Sequence, residues 1–232
     1  MDDAAVRVQD AWIGRLGRPT EHRWRKMSYI PLNLPETLPP VVEGVIRHGV
    51  EPLLRDVHWM LATVIHDHSQ NAMRRQLQIP IALTLLAAVA GVSTQLYQAS
   101  GNTGLRFKNC LKDYYPWDID TPSQVPHDEA ANLLYDAFRT PVVHFLGKGD
   151  KGRPPIKFGQ IFRGTDDAEA RVEELERGSG RPTNKSFLVI EPDRYVLWLD
   201  PFYWGGRKLV ERWAQNDAQV VAADKKHSKK EP

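Results

Sequence analysis

Pro80-Ile-Ala-Leu-Thr-Leu-Leu-Ala-Ala-Val-Ala-Gly-Val92 is the most apolar run of the chain. Its apolar residues surround the whole circumference of a helix, and a helix with that pattern is buried on all sides. Proline is favoured at the first helical position, so Pro80 predicts the start of a helix over about 80–98. The run is shorter than the about 20 apolar residues of a bilayer span. The sequence therefore predicts a central core helix and no membrane span.

Amphipathic stretches on both sides of this run predict a helical bundle. Apolar residues recur at helical spacing over about 41–46 and 53–65, and Gly49 and Pro52 predict an interruption between them. Further helical patterns cover about 105–115 and 127–146.

The pattern changes after residue 147. Residues 156–162 alternate like a strand, and 166–177 indicate a short charged helix. Two β-rich runs, 187–191 and 195–199, flank Pro192-Asp-Arg194 and predict a hairpin. A final helix follows over about 202–221. The expected fold class is α+β, mainly α: a helical bundle with a small antiparallel β-sheet and a closing helix at the C-terminal end.

Four segments follow from these patterns. Residues 1–36 are expected to form an irregular N-terminal arm, and 37–147 the helical bundle. Residues 148–222 are expected to form the small sheet plus a helix packed on the bundle, and 223–232 a disordered basic tail.

Composition places few limits on function. A hydrophobic content of 41%, a charged content of 26% and a net charge of +2 in 232 residues are typical of a soluble globular protein and exclude a polycation. The single cysteine, Cys110, excludes an intramolecular disulfide and fits a reducing compartment. The first residues lack the basic and apolar regions of a secretory signal. We therefore expect a cytoplasmic protein.

Arg139-Thr-Pro-Val-Val-His144 is the stretch that points most clearly to chemistry. Arginine stays charged and presents a planar fork to phosphate oxygens, whereas histidine titrates near neutrality and can move a proton. Together they suit cleavage of RNA without a metal. On an unbroken α-helix the five-residue offset leaves the two side chains apart, so a kink at Pro141 is expected to bring them together.

The stretch Leu133-Leu-Tyr-Asp-Ala-Phe-Arg-Thr-Pro-Val-Val-His-Phe-Leu146 resembles the signature of HEPN domains, the higher eukaryotes and prokaryotes nucleotide-binding superfamily. That signature is an arginine, often preceded by an aromatic residue, then four to six residues and a histidine. The resemblance covers about 40–147. It implies a metal-independent endoribonuclease with Arg139 and His144 as catalytic residues, without a cofactor, in a toxin–antitoxin or phage-defence context.

The same resemblance implies RNA as substrate and a homodimer in which two Arg/His pairs face each other; a cognate antitoxin stays unidentified. Thr140 stands where the family most often has asparagine, so it keeps a hydroxyl but loses the amide. Lys148 and Lys151 add positive potential after His144, which suits substrate binding, or belong to a solvated loop.

Alternative interpretations stay open at this point. Arg139 could pair with Asp136 or a loop carboxylate while His144 caps a helix end, which leaves a non-catalytic module for dimerisation or for nucleotide or nucleic-acid binding. Three histidines, His58, His66 and His68, invite a metal site, but no cysteine accompanies them and we expect none.

Overall fold

The computed structural model describes residues 29–66, 71–98, 101–117, 125–139, 156–159 and 187–228. In this part of the chain helices predominate, and three short strands form one sheet. The predicted fold class, α+β and mainly α, is confirmed. The charged helix predicted over 166–177 lies outside the described residues.

The first helices form one continuous rod. Helix α1 (Pro40–Val45) passes through a π-helical turn (Ile46–Val50) into α2 (Glu51–His66). The interruption predicted at Gly49 and Pro52 is therefore a change of hydrogen-bond pattern and not a break. Proline has no amide hydrogen to donate, and the π-helical turn departs from the i to i−4 pattern just before it.

The central helix is longer than predicted. Helix α3 (Asn71–Gly91) continues into a second π-helical turn (Val92–Leu96), so Pro80 lies inside the helix and not at its first position. Pro80 is exposed, where water can satisfy the carbonyl that loses its partner. By length and composition Leu77–Leu96 could cross a membrane. Its buried residues instead belong to the main core: Ile81, Leu85, Leu86, Val89, Val92 and Leu96.

Two shorter helices carry the candidate site. Helix α4 (Thr103–Tyr114) begins after Asn102, whose side-chain oxygen accepts a hydrogen bond from the amide of Leu105. Helix α5 (His127–Leu133) packs against α4 and runs into a third π-helical turn (Leu134–Arg139).

The sheet is mixed, with strand order β1-β3-β2. Strands β2 (Leu188–Glu191) and β3 (Arg194–Trp198) form the predicted antiparallel hairpin. Strand β1 (Ile156–Gly159) pairs parallel with β3, so the expectation of a wholly antiparallel sheet needs correction. Parallel pairing is possible because the chain between β1 and β3 is long enough to return to the same end of the sheet.

The predicted single closing helix is two helices, α6 (Leu199–Ala214) and α7 (Asp217–Ser228). The side chain of Asn216 causes the break, because its oxygen accepts from the amide of Gln219 and its nitrogen donates to the Tyr114 hydroxyl. Helix α7 extends through residues 223–228, which the sequence assigned to a basic tail. Lys226 donates to the carbonyl of Thr94, at the end of the central helix.

An aromatic cluster joins the sheet to the bundle. The Phe187 ring lies 4.9 Å from that of Tyr115 and 5.8 Å from that of Phe202, between centroids. Helix α6 approaches this cluster through Gly205, where an added Cβ would lie 2.1 Å from the Tyr115 hydroxyl oxygen. Glycine is therefore required at position 205 by close packing.

The buried Arg207 side chain holds the segment 29–36 on the bundle. It is only 4% exposed, and its Nη2 donates to the carbonyls of Ile30 (2.7 Å) and Pro31 (3.2 Å). The next two backbone amides donate hydrogen bonds to buried carboxylates: that of Leu32 to Glu51 and that of Asn33 to Glu211. Side chains of α2 and α6 thus satisfy four backbone polar groups of this segment, which lies outside the helices and strands.

A pair of glycine substitutions tests the packing of α6. We expect Gly205→Ala to lower the free energy of unfolding by about 3 kcal/mol, because its methyl group overlaps a ring that cannot leave the core. At Gly206 an added Cβ meets no atom within 4 Å. Gly206→Ala is therefore expected to stabilise the helix by roughly 0.5–1 kcal/mol. Urea unfolding of both variants measures the difference; equal effects would contradict the packing described here.

Replacement of the buried guanidinium tests the attachment of the N-terminal segment. Arg207→Met keeps an unbranched side chain but leaves the carbonyls of Ile30 and Pro31 without their donor. We expect a loss of about 3 kcal/mol in urea unfolding, because each buried acceptor left unsatisfied costs about 1–3 kcal/mol. The exposed Arg55→Met is the control and should change stability by less than about 0.5 kcal/mol. An Arg207→Met protein as stable as the control would show that this contact is dispensable.

Candidate functional site

Arg139 is the last residue of the third π-helical turn, and the residue before it is anchored in the core. Phe138 is fully buried, and its ring faces that of Phe158 on β1 at 6.1 Å between centroids. The aromatic residue of the motif thereby fixes the rotation of the turn. Arg139, the next residue, is half-buried as a consequence.

The Arg139 guanidinium lies against an aromatic ring. Its Cζ is 5.1 Å from the centroid of Tyr135, and Nη1 donates to the Tyr135 hydroxyl at 3.5 Å. Asp136 instead forms an ion pair with Lys108 at 2.8 Å. Arg139 therefore does not pair with Asp136, and the loop after Arg139, whose carboxylates were the other candidates, lies outside the described residues. Among the described residues no carboxylate forms an ion pair with Arg139.

A cavity of about 560 Å³ opens beside this ring. We call it the Tyr135 cavity. It is lined by Asn102, Thr103, Gly104, Leu105, Lys108 and Tyr135. Gly104 lets the phenol come close, because an added Cβ there would lie 2.8 Å from the Tyr135 hydroxyl. The Lys108 ammonium lies 5.3 Å from the same ring centroid, so two cations flank Tyr135.

Of the predicted site residues, the structure describes Arg139 alone. Thr140, His144, Lys148 and Lys151 lie outside the described residues, as does Pro141. Their proposed roles, and the kink expected at the proline, stay predictions.

Sequence reasoning missed Tyr135 and Lys108. One signal was available, since Tyr135 precedes Arg139 by four residues and side chains at that spacing are neighbours on a helix. Lys108 carried no comparable signal, because its approach to Tyr135 depends on how α4 packs against α5.

His58, one of the three candidate metal ligands, is a buried core residue. Its ring packs near those of Tyr29 (5.7 Å) and Tyr203 (6.2 Å), and its Nδ1 lies 3.4 Å from the Tyr203 hydroxyl. Burial, and secondarily the Arg207 charge, lower the pKa of His58 to about 4. The side chains of His66 and His68 are outside the described part, within which no group of three candidate ligands occurs.

Other side chains that could act as a nucleophile or stack on a base are buried or half-buried. Cys110 is fully buried, and burial raises the pKa of its thiol, so the reactive thiolate is disfavoured. Tyr203 and Trp213 are fully buried and cannot stack on a base, while Trp204 is half-buried with the Arg207 guanidinium over its ring.

This chain matches no protein-family model, no curated protein and no solved structure. Membership of the HEPN superfamily therefore stays a prediction. Any inference about function therefore rests on the side chains around Arg139.

The buried imidazole of His58 makes stability depend on pH. Its folded pKa of about 4 lies below the ordinary 6.5, so between these values the unfolded chain binds a proton that the folded protein does not. The contribution of the neutral His58 imidazole to the stability of the fold is complete above about pH 6.5 and is lost as the pH falls towards 4. Between pH 6.5 and 4, the free energy of unfolding of His58→Gln should fall by up to about 3 kcal/mol less than that of the wild type. Urea unfolding at each pH measures this difference.

The exposed His48→Gln is the matched control, and its pH dependence should equal that of the wild type. If His58→Gln followed the wild-type curve as well, protonation of His58 would not control acid stability.

Proposed function

We propose that this protein is a metal-independent endoribonuclease of HEPN type with Arg139 and His144 as its catalytic pair. One observation carries the proposal. The Arg139 guanidinium lies over the Tyr135 ring, half-buried, beside a cavity and without an ion pair to any described carboxylate. Such a cation can bind a phosphodiester without first breaking an ion pair to any carboxylate of the described residues.

The proposed reaction uses the ribose 2′-hydroxyl as nucleophile. His144 accepts its proton, the 2′-oxygen attacks phosphorus and the bond to the 5′-oxygen breaks, leaving a 2′,3′-cyclic phosphate and a 5′-hydroxyl after protonation of the leaving oxygen. Arg139 stabilises the negative charge that develops on the phosphoryl oxygens. The products are therefore diagnostic of the mechanism.

Arg139 and His144 are five residues apart, so their pairing requires a departure from α-helical geometry after Arg139. An α-helical turn would separate them around the axis. Pro141, which has no amide hydrogen, favours a departure from α-helical geometry in the intervening stretch.

The wider setting belongs to the same proposal. We assign substrate contacts to Thr140, Lys148 and Lys151, and we expect RNA as substrate, no cofactor and a homodimer. The resemblance supports action in a toxin–antitoxin or phage-defence system in the cytoplasm. The alternative is a non-catalytic module that dimerises or binds nucleotides.

Cleavage of a labelled, randomised single-stranded RNA pool by purified protein in excess EDTA tests the proposal. We expect His144→Ala and Arg139→Ala each to lower the cleavage rate by about 100-fold or more, since a proton-transfer group and a charge-stabilising group are lost. His48→Ala and Arg55→Ala, both at exposed positions, are matched controls and should cleave like the wild type.

Unchanged cleavage by His144→Ala would rule out the catalytic assignment. Loss of wild-type cleavage in EDTA would rule out the metal-independent mechanism. A folded wild-type protein that forms a dimer and cleaves no RNA would favour the non-catalytic module.

A further inference from the structure

The Tyr135 cavity joins an aromatic surface to positive charge. Lys108 Nζ and Arg139 Cζ lie 5.3 and 5.1 Å from the centroid of the Tyr135 ring. The cavity is an open concavity of about 560 Å³. Its wall offers one ring and one cation, Lys108, while the second cation, Arg139, lies against the same ring without lining the cavity.

Polar groups complete the lining. The Asn102 side-chain oxygen caps α4, which leaves its NH₂ group as a hydrogen-bond donor, and the exposed Thr103 contributes a hydroxyl. A ligand with a flat aromatic part, an anionic part and hydrogen-bonding edges matches this set. A nucleotide has all three, whereas an inorganic anion or an apolar molecule matches only part of it.

We propose that the Tyr135 cavity is a subsite for one nucleotide of single-stranded RNA, with its base against Tyr135 and its phosphate at Lys108. Because the Arg139 guanidinium also contacts the Tyr135 ring, this nucleotide is a neighbour of the phosphodiester that Arg139 binds. The position of this nucleotide next to the cleaved phosphodiester rests on the proposed function. Binding of a nucleotide in the Tyr135 cavity does not require that the protein cleaves RNA.

Asp136 opposes this binding in the free protein. Its carboxylate is about half exposed and holds Lys108 at 2.8 Å, so an incoming phosphate must compete with it for the ammonium. Exposed ion pairs are weak, which makes the exchange feasible. Removal of this carboxylate should consequently tighten RNA binding, an effect that damage to the fold cannot produce.

Fluorescence anisotropy with a labelled oligoadenylate of about 12 nucleotides tests the subsite, in a His144→Ala background that prevents cleavage. A second probe is the same backbone without bases. We expect Tyr135→Leu to weaken binding of the oligoadenylate about tenfold and to leave binding of the abasic strand unchanged. Lys108→Ala should weaken both probes and reduce the salt dependence by about one phosphate contact.

Two further variants keep the test independent of core damage. Asp136→Asn should tighten binding of both probes several-fold. Thr103→Phe, at an exposed position on the cavity wall, should weaken oligoadenylate binding without lowering the melting temperature. Arg55→Ala is the control for general positive charge and should bind both probes like the parent.

Equal losses for both probes in Tyr135→Leu, or no gain in Asp136→Asn, would overturn the subsite. The ribonuclease proposal and the subsite proposal can fail separately. If the variants bind the two probes as expected but the wild-type protein cleaves no RNA, the ribonuclease is refuted and the subsite stands. If the wild type cleaves RNA but the variants do not bind as expected, the subsite alone is refuted.

Discussion

The buried guanidinium of Arg207 is the interaction on which the arrangement of the chain depends. A cation removed from water must find polar partners, and Arg207 finds them in the carbonyls of Ile30 and Pro31. Three aromatic rings surround it, the nearest being Tyr29 at 5.0 Å. One side chain of α6 thus determines the path of the N-terminal segment and the environment of His58, whose imidazole stays neutral partly because of this charge.

The candidate site depends on a second buried contact. The packing of Phe138 against Phe158 links the π-helical turn to β1, and β1 is paired through β3 to the hairpin. The small sheet therefore has a physical connection to Arg139. This contact supports the turn next to Arg139, whose guanidinium lies over Tyr135 while Asp136 pairs with Lys108.

Several errors in the sequence prediction share one cause. Pro80 and Pro52 both lie within continuous helices, because tertiary packing stabilises a helix enough to tolerate one missing hydrogen bond. The closing helix divides at Asn216, whose capping role depends on its hydrogen bond to Tyr114, a residue 102 positions away. Local patterns identified most of the helices correctly but placed their ends without knowledge of such distant partners.

The sequence by itself determined the central apolar helix, the β2–β3 hairpin, the mainly helical class and the choice of Arg139 as a candidate cation. These follow from periodicity, turn chemistry and the permanent charge of arginine, all of which are local properties. The parallel pairing of β1, the burial of His58 and the approach of Lys108 to Tyr135 at one cavity follow from tertiary packing alone. These features join residues far apart in the chain, where contact depends on how whole helices and strands pack.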